Sequence, residues 1–462
     1  MPSLEKILQS VLETVKPSEQ EFRKEMEKAE ELIKRIYKLE GKHVKAVLGG
    51  SLARSTHLKG DRDIDIFVLF PSHLSRQEFK KEGLRIGKQV FNAGKFEIAF
   101  SEHPYVRGII DGFDIEIVPG FDIKETSLLQ SSVDRSSFHT AYLQKKLSSA
   151  QQDEVRLLKQ FLKGIQCYGA DLRQASFSGY LTELLILKYG NFLECLKAVA
   201  EWKKPTVIDL ENYWLEEQAL EKFRDFPLII IDSTDRSRNA AAAVSLQQMA
   251  RFTAASRTFL KKPSMNFFFP PKTKPLQLKK VSMHVQKEGL IVLEMPYPKG
   301  LLADIFWGMI KRLARKLHSA LEEKEFKVLR SEAWTDEKSL ATITIDLQAN
   351  ALEQAFKRIG PEVFQKQASE NFLKAHKKPL SGPRIENGRW IVEELREHYL
   401  ATEFLKFLLK KLSKEEVKEL RFLLKKARVL NQKQILKLYK KSPEFQEHFT
   451  RFLKGKEEFL EY

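Results

Sequence analysis

The sequence predicts an α+β protein: a mixed sheet near the N-terminus, a helical stretch after it, an α+β module and a helical tail. Three observations predict this. Short β-rich runs cluster before residue 120 or so, several alternating apolar and polar side chains as a sheet with one covered face requires. From Gln151 to about Leu260, apolar residues recur at three and four spacing, as in VRLLKQFLKGI and YLTELLILKYGNFLECLKAVAEW. A Pro-rich run from Phe269 to Pro275 then breaks the helical pattern, and β-rich segments return beyond it.

The elements follow in order. Ser18 and Glu21 form a capping box, so a helix is expected from there to Gly41. VKAVLGG is a short strand broken by Gly49 and Gly50; SLARSTHL follows as a short helix, and DIDIFVLF is a second strand closed by Pro71. KFEIAF and GFDIEIVPG supply further strands. In the helical stretch, LIIIDSTD is a buried strand candidate. Past the Pro-rich run, VSMHVQKEGLIVLEM and LATITIDLQ are expected to be strands around a helix at 301 to 323, and residues 401 to 462 return to helices rich in Lys and Arg.

Length and charge bound the function. A chain of 462 residues exceeds one ordinary core and divides into roughly three domains of ~150 residues. Lys and Arg number 79 against 62 Asp and Glu, a net charge of +17, which favours a polyanionic partner. The two cysteines, Cys167 and Cys195, lack the spacing of a zinc site or a disulfide framework, which fits a reducing, cytoplasmic setting. No uncharged apolar run approaches the ~20 residues of a membrane span, and the N-terminus lacks the apolar core of an export signal.

One constellation carries chemistry. Side chains alternate across a strand, so Asp63 and Asp65 share one face while Ile64 and Ile66 enter the core. Two adjacent carboxylates repel unless a cation neutralises them, and hard oxygen donors at this spacing suit Mg²⁺. Such a pair also occurs on the polar face of an ordinary edge strand. The preceding Gly49-Gly50-Ser51 opens a helix carrying Arg54, where backbone N–H groups, a hydroxyl and a guanidinium can hold phosphate oxygens. Asp114 and Glu116 lie on a further strand and offer a third carboxylate, the layout of a two-metal nucleotidyl-transfer site.

Gly50-Ser51-Leu52-Ala53-Arg54-Ser55-Thr56, followed by Asp63-Ile64-Asp65, resembles the polymerase-beta-like nucleotidyltransferase superfamily. EHPYV at 102 to 106, VDRSSFH at 133 to 139, EVRLLKQFLKGIQCYGAD at 154 to 171, FSGYLTELLI at 177 to 186, DRSRNAAAAVS at 235 to 245 and IENGRW at 385 to 390 are similar to the archaeal, class I CCA-adding enzymes. The likeness covers residues 1 to about 395, with no match seen past about 400.

The resemblance implies a polymerase-beta-like catalytic head at 1–148, a helical neck at 149–268 for nucleotide and base recognition, and an α+β body and tail at 269–400 binding the tRNA acceptor stem; residues 401–462 are, by their own composition and pattern, a basic helical extension. It implies Asp63, Asp65 and Glu116 as catalytic metal ligands, and Ser51 and Arg54 as triphosphate contacts. His139, Lys159 and Tyr168 match nucleotide-binding positions, and Arg238 matches the arginine associated with base selection. Leu52 stands where the family usually has an aromatic residue, and Glu116 where it usually has aspartate, so Asp114 stays open as the third ligand. The expected reaction is template-independent addition of CCA to the tRNA 3′ end from CTP and ATP, with Mg²⁺ as cofactor and release of pyrophosphate. A poly(A) or oligoadenylate-type polymerase, or an inactive tRNA-binding protein, are the alternatives. No membrane partner is expected, and a homodimer is left open.

Overall fold

The computed structural model describes residues 3–40, 43–92, 94–100, 102–286, 289–298 and 300–462. The chain forms two compact units, Met1–Pro271 with Glu457–Tyr462, and Lys272–Lys456.

The first unit begins with α1 (Leu4–Val15) and α2 (Glu19–Glu40). The expected capping box starts α2: the Ser18 amide donates to Glu21 Oε2 at 2.8 Å, and the Glu21 amide donates to Ser18 Oγ at 3.2 Å. Next come β1 (Lys45–Leu48), the one-turn α3 (Gly50–Ala53), β2 (Asp63–Pro71), α4 (Arg76–Phe91), β3 (Phe96–Phe100), β4 (Pro104–Ile110) and β5 (Phe113–Asp122). The five strands make one sheet in the order β1-β2-β5-β4-β3. It is mixed because β2 and β5 run parallel while the other pairs are antiparallel.

Alternation decides which face of this sheet is covered. Ile64, Ile66, Val68 and Phe70 of β2 join Ile115, Ile117 and Phe121 of β5 against Ala29, Leu32 and Ile36 of α2 and Phe79, Ile86 and Val90 of α4. Burying side chains of this size stabilises by about 1.5–3 kcal/mol each, so the register of β2 is strongly fixed. A slip of one residue would send Asp63 and Asp65 into that core.

Helices α5 (Arg135–Lys146), α6 (Ser149–Gly164), α7 (Gly179–Tyr189) and α8 (Phe192–Ala200) follow. Next come β6 (Thr206–Ile208), α9 (Glu216–Lys222), β7 (Leu228–Asp232), β8 (Asp235–Asn239) and α10 (Leu246–Lys261). LIIID is the expected strand, the middle one of the small β6-β7-β8 sheet. An aromatic-rich core joins Phe161, Phe177, Phe192, Phe252, Phe259, Phe267 and Phe268, and Phe459 and Tyr462 at the far end of the chain belong to it.

The second unit contains α11 (Leu278–Val285), β9 (Leu290–Pro296), α12 (Ala303–Glu323), β10 (Val328–Thr335), β11 (Leu340–Leu347), β12 (Ala355–Glu362), α13 (Lys366–Ala375), β13 (Ser381–Glu386), β14 (Arg389–Leu395), α14 (Ala401–Glu415), α15 (Lys418–Lys426), β15 (Arg428–Val429), α16 (Gln432–Lys441) and α17 (Pro443–Lys454). VSMHV, expected as strand, is helical. Val281 and Val285 lie four apart on one buried stripe, a helical period that five residues in which Ser282 and His284 alternate with apolar side chains do not distinguish from a strand. β10, β11, β9 and β15 make one sheet and β12, β14 and β13 another. α12, α14 and α15 share the core of the first of these sheets. Among the described residues no helix is long and apolar enough to cross a membrane.

Candidate active site

The parallel pairing of β2 with β5 sets Asp63 opposite Asp114 and Asp65 opposite Glu116. Since Ile64, Ile66, Ile115 and Ile117 are buried at 0% exposure, these four acids stand together on the other face of the sheet. Burial, then the Asp63 charge, pushes the Asp65 carboxyl up to about 6, with Arg54 pulling the other way. Burial and Asp65 push Glu116 up to about 7 against the opposing charge of Arg107. Asp63 is raised by burial and by Asp61 and Asp114. Carboxyls held this far above their ordinary range mark a place where a cation would stabilise the ionised forms.

Gly50 has φ +64° and Cβ added there would sit 1.8 Å from Asp65 Oδ2, so only glycine lets the turn between β1 and α3 approach this carboxylate. The same turn is tied down by the Gly49 amide, which donates to Asp65 O at 2.8 Å. Ser51 and Arg54 follow directly on α3 and at its end. Leu52 is buried at 2% exposure in the sheet's core.

Arg54 is anchored from behind. Its Nε lies 3.0 Å from both carboxylate oxygens of Glu183 on α7, and Nη1 donates to Thr140 Oγ1 on α5 at 3.3 Å. Glu183 is fully buried and also accepts from Thr56 Oγ1. Burial would raise its pKa, but Arg54 and Lys159 outweigh that and hold the carboxyl below its ordinary range. Lys159, on α6, is 2% exposed. Its Nζ donates to Thr56 O at 2.9 Å and to Thr56 Oγ1 at 3.2 Å, and lies 4.0 Å from Glu183. Burial pushes Lys159 down to about 8. Arg156, one turn earlier, donates to His57 O at 3.0 Å and to Ser55 O at 2.5 Å. Two cations of α6 therefore grip three consecutive carbonyls of the segment that leads from Arg54 toward β2. Tyr168 joins them: Cβ added at Gly179, at the start of α7, would lie 3.1 Å from the Tyr168 hydroxyl and 3.8 Å from Lys159 Nζ.

The remaining two predicted residues meet elsewhere in the same unit. His139 Nε2 donates to Asp232 Oδ2 at 2.8 Å, and Arg238 Nη1 donates to the same oxygen at 2.6 Å. The His139 ring stacks on Tyr180, with centroids 3.8 Å apart. Burial lowers the His139 pKa although Asp232 pulls it upward. Burial opposes ionisation of Asp232 too, but its hydrogen bonds and the nearby cations keep it far below the carboxylate range.

The structure thus sorts the predicted residues into three groups: Asp63, Asp65 and Glu116 on the sheet beside Ser51; Arg54, Lys159 and Tyr168 around the start of α7; His139 and Arg238 on Asp232. Sequence reasoning missed Glu183, Thr56, Asp232 and Tyr180. Glu183 is a lone acid in the apolar stretch YLTELLILKY, and Asp232 ends a run of three isoleucines; a charge in such surroundings needs partners.

The carboxylate face fits divalent cations, which the nucleotidyltransferase family generally uses. Among the described residues no three His, Cys, Asp or Glu side chains form a ready-made metal cage. A hard cation that keeps several waters and draws on substrate phosphates needs only one or two protein carboxylates to hold it.

Three family models match successive parts of the chain: a nucleotidyltransferase domain over residues 23–156, the second domain of tRNA nucleotidyltransferase over 153–269, and the C-terminal domain of the CCA-adding enzyme over 289–430. The last match runs past residue 400, where the sequence had shown no likeness. The CCA-adding enzyme of Methanothermobacter thermautotrophicus is 36% identical over 409 residues, 87% of this chain and 88% of that protein. That of Archaeoglobus fulgidus is 36% identical over 395 residues, 85% and 87% of the two chains. Among solved structures, the Cid1 poly(U) polymerase with Mg and 3′-dATP bound matches with a TM-score of 0.45 and 20% identity, over 56% of this chain and 94% of that one.

Proposed function

The chain belongs to the family of CCA-adding enzymes, whose reaction completes the 3′ end of tRNA, and from that premise we propose that nucleotidyl transfer takes place on the carboxylate face of β2 and β5. The observation that supports this most is the register that sets Asp65 opposite Glu116, directly beside the Gly50 turn.

In this reading Asp63, Asp65 and Glu116 would hold Mg²⁺, which when bound activates the attacking 3′-hydroxyl and neutralises charge on the triphosphate. Ser51 and the Gly50–Ser51 backbone bind triphosphate oxygens, and Arg54 is oriented toward them by Glu183 and Thr140. Lys159 and Tyr168 support the pocket wall beside Arg54. Arg238, with His139 beside it, meets the base of the incoming CTP or ATP. The 3′-hydroxyl of the RNA attacks the α-phosphate in line and pyrophosphate leaves. The head is assigned to 1–148 and the neck to 149–268. Acceptor-stem binding is assigned to 269–400, together with the basic helices of 401–462.

The deciding experiment incubates the protein with tRNA ending at its discriminator base, CTP, ATP and Mg²⁺, and sequences the new 3′ ends. CCA followed by arrest is expected, with no addition to mature tRNA and no addition when a chelator removes the metal. Unlimited A-addition from ATP alone would assign the chain to the polyadenylating type.

A further inference from the structure

We propose that Asp232 is a positioning residue for base selection: it holds the Arg238 guanidinium in one orientation, so that nucleotide choice depends on a carboxylate that does not touch the base. The inference rests on the reading that Arg238 meets the incoming base.

Asp232 is 0% exposed and is saturated with donors. Oδ2 accepts from Arg238 Nη1 at 2.6 Å and His139 Nε2 at 2.8 Å. Oδ1 accepts from the Tyr180 hydroxyl at 3.0 Å and from Thr234 N and Oγ1 at 3.0 and 2.9 Å. These donors come from α5, α7, β8 and the β7–β8 turn, so the carboxylate is fixed by the whole pocket and not by Arg238. The converse does not hold. Arg238 keeps 38% of its side chain exposed, on a short strand, and Asp232 is its one ion-pair partner among the described residues. An unheld arginine samples many rotamers, whereas a guanidinium pinned by one nitrogen presents its other donors in a fixed plane. Discrimination between base edges needs that fixed plane, because a mobile donor can satisfy a wrong edge as well as a right one.

Asparagine at this position is nearly isosteric but supplies one acceptor oxygen and an NH₂ group. With the NH₂ toward Arg238 the guanidinium meets a donor and is turned away; with the oxygen toward Arg238 the NH₂ meets the Thr234 amide, and Arg238 keeps only a neutral acceptor in place of a carboxylate. Arg238 is held more weakly in both, while the triphosphate contacts at Arg54 are untouched.

The test compares Asp232→Asn, Arg238→Ala and the double variant in single-turnover addition of CTP and UTP to tRNA ending at its discriminator base, separating rate from nucleotide affinity. Asp232→Asn is expected to lower the CTP/UTP preference about tenfold or more, the scale of losing a hydrogen bond to a charged group, and to do nothing further once Arg238 is alanine. Thr234→Val, which removes one donor and leaves the Arg238 pair intact, should keep the preference within about twofold. Asp232→Glu, which keeps the charge but displaces it, is read in the same way as Asp232→Asn should the latter not fold. Unchanged preference in both Asp232 variants, beside a loss in Arg238→Ala, overturns the proposal and leaves Asp232 structural. Additive losses in the double variant overturn it too. Retained preference in Arg238→Ala removes the reading beneath it, a result distinct from either.

Discussion

At the scale of single residues, the register of the carboxylate face favours one of two candidates that strand periodicity alone left equal, and we propose Glu116 as the third ligand. Asp114 and Glu116 share a face, but the parallel register sets Glu116 beside Asp65, next to the Gly50 turn, and Asp114 beside Asp63. Glu116→Gln is therefore expected to cost far more single-turnover CTP addition than Asp114→Asn, and Asp65→Asn to abolish it, each ~1.4 kcal/mol of lost transition-state stabilisation being tenfold. An inactive Asp114→Asn beside a competent Glu116→Gln would reverse the assignment. The raised carboxyls also carry a pH dependence. Glu116 at about 7 and Asp65 at about 6 bind protons more tightly in the folded chain than the ordinary carboxyl does. Their contribution to stability without metal is present at pH 4 and lost as pH rises through 6 to 7. Thermal melts of the metal-free protein at pH 8 should show Glu116→Gln more stable than the parent, with the difference gone near pH 4.5. Adding a divalent cation at pH 8 should raise the parent's melting temperature more than the variant's.

At the scale of elements, the segment from Arg54 to Leu58 is held less by its own sequence than by α6 and α7. Ser55 adopts φ +55° as the left-handed residue that caps α3, its amide donating to Leu52 O at 3.0 Å and the Thr56 amide to Ser51 O at 2.9 Å, and Arg156 takes up the Ser55 carbonyl. Lys159→Met removes the cation from Thr56 and Glu183; breaking a buried pair of this kind costs about 3–5 kcal/mol at most, less here because Arg54 still faces Glu183. The melting temperature should fall together with activity, whereas a lysine acting on the nucleotide alone would lose activity with an unchanged melt. Much of the site was legible at this scale. Asp63 and Asp65 follow from period two, the capping box at Ser18 from its spacing, and the Gly50 turn from its dipeptide. What was not legible depended on which element packs on which. Glu183 pairs with Arg54 across 129 positions and Asp232 with His139 across 93. No local pattern encodes either pairing. The helical VSMHV segment failed for the opposite reason, since its local pattern was too short to choose.

At the scale of the whole molecule, the charge of +17 acts as a field. Equilibrium binding of tRNA is expected to weaken steeply with salt, by about a thousandfold from 50 to 200 mM if about six phosphates are neutralised, while CTP affinity changes much less. A shallow slope would mean that RNA is held by few ion pairs and that the basic surface serves another end. Composition announced that charge; it did not announce how the chain is partitioned. Glu457–Tyr462 belongs to the unit that holds the carboxylate face, with Arg251 bonded to Glu457 and with Phe459 and Tyr462 packed on Phe267. During synthesis, then, the catalytic unit emerges from the ribosome first yet stays without part of its aromatic core until the whole of the second unit has been translated. A nascent chain stalled in the second unit would carry every residue proposed above for nucleotidyl transfer on a scaffold still missing the two aromatic rings that close it.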